Sequence, residues 1–151
     1  MATLTKLHGV QYPLCSVFTF NATDAFTNTA GTSTTFGAAS PGAFDFITMP
    51  PNSMVIGGRV IVETIAADNT STVDIGDSDD TDRYTETAAI NLADADAPAS
   101  GFEMLGDGKV YDGTQALRLT FANGGAVTAT KAHVIVWFVM TGRINENVKT
   151  T

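Results

Sequence analysis

Gln115-Ala-Leu-Arg-Leu-Thr-Phe121 alternates apolar and polar side chains with a period of two. That period marks a strand with one wet and one dry face, because successive Cβ atoms leave a pleated backbone on opposite sides. Leu117, Leu119 and Phe121 then share the face that enters a core, and Arg118 and Thr120 the face that meets water. Half-buried strands of this kind belong to antiparallel sheets, since parallel strands are normally covered on both sides. Upstream, Leu14-Cys-Ser-Val-Phe-Thr-Phe20 repeats the pattern, with Phe18 and Phe20 on one side and Val17 and Thr19 on the other. Further strands are predicted over 43–49, 54–66, 70–75, 85–92, 109–112 and 128–141, which makes about eight in all.

Between them lie turn-forming clusters, among them Ser40-Pro-Gly42, Pro50-Pro-Asn-Ser53, Gly106-Asp-Gly108 and Asn123-Gly-Gly125. No long window carries an amphipathic helical stripe, and Thr, Val and Gly outweigh Leu and Glu, a bias toward sheet. The expected fold is all-β, an antiparallel jelly-roll-like sandwich in a single domain. An immunoglobulin-like sandwich competes, but the paired cysteines of that fold are missing. Residues 22–42, rich in Thr, Ala, Ser and Gly with Phe26 and Phe36 as large anchors, read either as a mobile loop or as a short edge strand over 32–36.

The last predicted strand departs from simple alternation. Lys131 and His133 oppose Ala132 and Val134, but Val134, Val136, Phe138 and Met140 then fill one face while Ile135, Trp137 and Val139 fill the other. Both faces need cover. A central position in the fold would supply it, and so would a subunit interface, which the reading favours because a two-sheet sandwich leaves one face of each strand wet. Ile135, Trp137 and Val139 are the candidate interface residues.

The chain has 151 residues, the size of one domain, divided into an N-terminal arm (1–13), a β-sandwich (14–142) and a C-terminal tail (143–151). At 44% hydrophobic and 16% charged it is too apolar for disorder throughout. A net charge of −8 repels phosphate backbones and anionic lipid, so neither nucleic acid nor membrane is expected as a partner. Cys15, the one cysteine, can form no internal disulfide. The first residues contain no apolar run of signal-peptide length.

Catalytic signatures are missing. His8 and His133 stand without a ligand pattern, and HExxH, CxxC, GxSxG and phosphate-loop sequences do not occur. Gly106-Asp-Gly-Lys109 reads as a hairpin turn rather than a phosphate loop. The acidic run Asp74-Ile-Gly-Asp-Ser-Asp-Asp-Thr-Asp82 offers Asp77, Asp79, Asp80 and Asp82 as hard oxygen ligands for a cation, but in no EF-hand order. The competing reading is a solvated loop with aspartates bonded to nearby backbone and Arg83 neutralising one of them. That second reading is preferred; no metal, no cofactor and no enzymatic activity are expected. A trimeric dUTP hydrolase has similar length and β content, but the tail Gly142-Arg-Ile-Asn-Glu-Asn-Val-Lys149 lacks that family's glycine-rich arm.

From Pro50 onward the chain resembles tailed-phage capsid decoration, or cement, proteins with β-sandwich folds. The residues that carry this are Met49-Pro-Pro-Asn-Ser-Met-Val-Ile-Gly-Gly-Arg-Val-Ile-Val-Glu-Thr64, then Thr72-Val-Asp-Ile-Gly-Asp77 with Thr81-Asp-Arg-Tyr84, and more weakly 117–121 and 133–141. The resemblance implies a virion structural protein on the outer surface of the capsid, a homotrimer that binds the major capsid protein in the assembled head and reinforces its joints. Under it, Leu4, Lys6, Leu7 and Val10 of the arm are the expected capsid-binding residues, a frayed terminus being the other reading of this segment. The alternative function is a head-fibre or tail adhesin module that binds a carbohydrate or host receptor; such binders expose Trp or Tyr for stacking.

Overall fold

The computed structural model describes residues 12–66, 71–85, 90–91 and 102–141. Among them are eleven strands and no helix. They are β1 (Leu14–Asn21), β2 (Ala25–Thr27), β3 (Ser33–Thr35), β4 (Gly42–Thr48), β5 (Ser53–Thr64), β6 (Thr72–Gly76), β7 (Ile90–Asn91), β8 (Phe102–Leu105), β9 (Val110–Tyr111), β10 (Ala116–Ala122) and β11 (Lys131–Met140). Sheet A runs β1-β11-β5-β8, with β9 also on β5, and sheet C runs β4-β10-β6-β7. All of these pairings are antiparallel. The first and last long strands are neighbours, and most connections between long strands cross from one sheet to the other.

The alternation in β10 is realised as expected: Leu117, Leu119 and Phe121 are buried while Arg118 and Thr120 lie on the opposite face. Facing them from sheet A are Val55, Val60, Val62, Val134 and Val136, each fully buried. Sandwiching the two apolar faces removes both from water at about 25 cal/mol per Å² of apolar surface, which is what holds the sheets together. One end of the core is aromatic. Phe36 stacks on Phe26 at 4.3 Å between centroids and meets Phe20, Phe121 and Phe44 within 5.5 Å.

Two glycines shape β5. Gly58 faces inward, where a Cβ would stand 2.3 Å from the Ile135 carbonyl oxygen and 2.7 Å from Met104 Sδ. Gly58→Ala is therefore expected to lower stability by about 1–3 kcal/mol through overpacking; thermal denaturation checks this, and an unchanged Tm would refute it. Gly57, the residue before it, pairs with Trp137 beside a register shift and adopts φ +152°, a conformation side chains rarely take.

Three expectations are refined. Of the two readings of 22–42, the strand is realised: β3 pairs with β2, and the hairpin they form plants Phe26 and Phe36 in the core. The strands β2 and β8 were not foreseen, β2 because three residues carry too short a period and β8 because its segment shows no alternation. Of the strand predicted over 85–92, only β7 lies within the described residues.

Candidate functional site

Two features stand apart from ordinary sandwich construction: a charged bolt at one end and an apolar outer face on sheet A.

The bolt is centred on Asp77, immediately after β6, whose side chain is fully buried. Gly76 lets the chain turn there, since a Cβ would lie 2.1 Å from the Asp80 carbonyl oxygen. Asp77 Oδ1 accepts the backbone N–H groups of Asp79 and Asp80 at 2.9 and 3.1 Å. Its Oδ2 accepts Arg83 Nε, Lys109 Nζ and the Tyr111 hydroxyl, each at 2.9 Å. Because Tyr111 spends its proton on Asp77, Tyr84 donates to Tyr111, with the two hydroxyl oxygens 2.6 Å apart. Lys109 Nζ also reaches Asp79 Oδ2 at 2.8 Å, and Arg83 Nη1 reaches Asp107 Oδ2 at 2.6 Å. Residues from sheet C and from the β9 region of sheet A are thus tied together across the end of the sandwich.

The electrostatics follow from this geometry. Burial by itself would push the Asp77 carboxyl up, but the Lys109 ammonium, the Asp79 N–H and the Tyr111 hydroxyl outweigh it and hold the group at about 2. Burial pushes the Tyr84 phenol up to about 12 and the Tyr111 phenol higher still. The hydrogen bond to Asp107 raises Arg83 further above its ordinary value. The candidate cation ligands are accordingly engaged by the chain's own cations: Asp77 and Asp79 hold Lys109, Asp77 holds Arg83, and Asp80 lies 4.0 Å from Arg83. Asp82 meets the loop through its carbonyl, which accepts the Thr85 N–H at 2.7 Å. Among the described residues no group of three or more His, Cys, Asp or Glu converges as a metal site would require. This arrangement positions loops.

The second feature is a contrast between the two outer faces. That of sheet C is polar: Arg118 donates to both carboxylate oxygens of Asp45 on β4, at 2.7 and 3.1 Å, with Thr120 and Asp74 beside the pair. That of sheet A is apolar around Trp137. Register places Cys15, Trp137, Gly57 and Leu105 in one row across four strands. Val139, Met54 and Val110 form the row on one side, and Val17, Ile135, Arg59 and Glu103 the row on the other. Charge gathers beyond that, where Glu63 Oε2 lies 2.6 Å from Lys131 Nζ and 2.9 Å from His133 Nε2, with His133 Nδ1 2.8 Å from Thr19 Oγ1. These hydrogen bonds hold Glu63 below the ordinary carboxylate value.

Trp137 is the centre of this face and is 42% exposed. With no side chain at Gly57, the indole has room across β5; a Cβ placed there would meet its Cε3 at 3.7 Å. Val17 is 60% and Leu105 52% exposed, and the Cys15 thiol is free and exposed as well. The three sequence-predicted interface residues therefore do share one face, with Ile135 and Val139 half-buried on either side of Trp137. The strand that carries them lies inside sheet A between β1 and β5; its inner residues Val134 and Val136 are buried in the core against sheet C, while Trp137 on its outer face stays exposed. What the sequence did not show is that β1, β5, β8 and β9 extend the patch, because strand neighbours cannot be read from local pattern. Leu4, Lys6, Leu7 and Val10 lie outside the described residues.

No family model matches the chain, and no curated protein matches it. Solved structures do share its fold. A chain in the capsid asymmetric unit of cyanophage Pam1 is similar over 88% of this chain and 89% of its own, with a TM-score of 0.51 and 21% identity. A chain in the acidic stable capsid structure of Helicobacter pylori bacteriophage KHP30 is similar over 87% of this chain and 94% of its own, with a TM-score of 0.54 and 15% identity. Each likeness spans nearly the whole fold of both partners.

Proposed function

We propose that this chain is a virion structural protein, a capsid decoration protein that binds the assembled head as a homotrimer and stabilises contacts between major capsid subunits. The observation that carries the reading is the whole-length likeness of its fold to chains of two phage capsids. The strand order supports a jelly-roll assignment: β1-β11-β5-β8 faces β4-β10-β6-β7, so that the first long strand lies beside the last and most connections between long strands cross from one sheet to the other. Viral capsid domains are among the common users of that architecture.

The mechanism is one of linkage. A protein that binds only the assembled lattice stabilises it by mass action, and its binding free energy opposes rupture. Three equivalent attachments on one trimer raise avidity without new kinds of contact, provided trimer and lattice geometry match. The arm residues Leu4, Lys6, Leu7 and Val10 are the proposed contacts with the major capsid protein, on the outer surface of the shell. The sandwich acts as a rigid adaptor, with no catalytic step.

Purified protein added to undecorated expanded heads is expected to bind saturably, in multiples of three per site, and to raise the temperature at which the heads break. Absence of binding to any shell would overturn the reading. One observation favours the alternative, an adhesin module of a head fibre or tail: Trp137 is partly exposed, as a sugar-stacking residue would be. Measurable glycan affinity without shell binding would select that alternative.

A further inference from the structure

We propose that copies of this chain meet through the outer face of sheet A, with Trp137 at the centre of the contact and the β1 edge at its margin. The proposal deepens the homotrimer reading and rests on it for the number of copies.

The shape of the face limits its occupant. The apolar rows extend across five strands and lie on the open surface of a sheet, which suits a broad partner rather than an extended peptide. Soluble chains rarely leave such a patch in water. Interface cores are likewise poor in charge and rich in aromatic anchors, the part Trp137 would play here.

Charge then selects the partner. The chain carries a net charge of −8, so any two copies repel unless they approach through a region that adds no like charge. The outer face of sheet A is such a region. Arg59 and Glu103, opposite in sign, are register partners, and Glu63 is matched by Lys131 and His133. The Trp137 row and the Val139 row contain no charged side chain. Among the described residues, aspartates gather elsewhere, at the Asp77 loop and on the outer face of sheet C. A basic partner would gain at those sites and nothing at Trp137, whereas the same neutral apolar face on neighbouring copies, turned toward a shared axis, meets it without adding like charge.

The margin of the face agrees. Among the described residues Leu14–Asn21 is an edge strand of sheet A, without a single charged residue, although edge strands exposed to solvent are commonly guarded by charge or proline. Its outward residues Cys15 and Val17 continue the apolar rows of β11 to the sheet boundary.

Sedimentation velocity of the full chain tests this with Val17→Glu and Leu105→Glu. Both residues are more than half exposed and outside the core, so folding should survive, as circular dichroism would verify. The wild type is expected to sediment as an oligomer and both variants as single chains. Thr48→Glu, at an exposed position of β4 in sheet C, is expected to leave the oligomer intact. The native thiol gives a second readout: Cys15 should react with a bulky maleimide roughly tenfold more slowly in the wild type than in Leu105→Glu, since reactivity follows access. A wild type that is a single chain at high concentration overturns the proposal, as do variants that stay oligomeric with Cys15 equally reactive. Oligomers that resist both substitutions yet decorate heads would remove this interface and leave the decoration reading standing. Oligomers that both substitutions dissociate, with no binding to heads, would do the reverse.

Discussion

Asp77→Asn is expected to cost the fold about 3 kcal/mol, toward the lower end of the range for removing one partner of a buried ion pair. The substitution keeps the volume and removes the charge. Lys109 and Arg83, both largely buried, lose their shared counter-ion, and the amide cannot accept all five donors that converge on Asp77. The loss stays at the low end because Lys109 keeps Asp79 and Arg83 keeps Asp107. For a domain of this size that is a fall in Tm of roughly 6–12 °C. A Tm within a degree or two of the wild type would show that the bolt contributes no stability.

The same residue sets a pH dependence. Its folded pKa, about 2, lies below the ordinary value of 3.8, so the folded state binds its proton less readily than the unfolded chain does. The contribution is therefore fully present above about pH 4 and is lost as pH falls from there through about 2. Measured as the difference in unfolding free energy between wild type and Asp77→Asn, the gap should be constant from neutral pH to about 5 and narrow in stronger acid. A gap that closes already near pH 6 would mean that another group is responsible.

Phe36→Ala is expected to cost about 3–5 kcal/mol, the range for emptying a buried aromatic site. Phe36 is in ring contact with Phe18, Phe20, Phe26, Phe44 and Phe121, so its removal leaves five rings facing a void. The damage should be uneven. The β2-β3 hairpin has two strands of three residues each, too little to persist alone, and it is anchored by Phe26 and Phe36. Native-state hydrogen exchange should show the Asn28 and Gly31 amides losing more protection than the amides of β10 and β11. Uniform loss across the sandwich would mean that the hairpin is held by something other than these rings.

How much of this was legible beforehand varies by element. Alternation in β1, β10 and the first half of β11 placed Phe20, Leu117, Leu119, Phe121 and Val134 in the core correctly, because the pleat is a local property of the backbone. The doubly apolar end of β11 announced that something unusual happens at Trp137, and the three residues named there do lie on one face. The acidic loop was recognised as a loop, with Arg83 as a neutraliser. Lys109 and Tyr111 were not connected to it, since they stand 32 and 34 positions from Asp77 and no local pattern links them.

By itself, the sequence determined the all-β class, the inward face of β1, β10 and the first half of β11, and the absence of familiar catalytic motifs. These depend on side-chain order along a few residues. Tertiary structure alone decided that Cys15, Trp137, Gly57 and Leu105 form one row and that Asp77 receives Lys109, Arg83 and Tyr111 together. Rows and ion pairs of that kind exist only once distant strands have chosen neighbours and register. That choice is made by burying the shared core, whose gain comes from the whole sandwich and from no single segment.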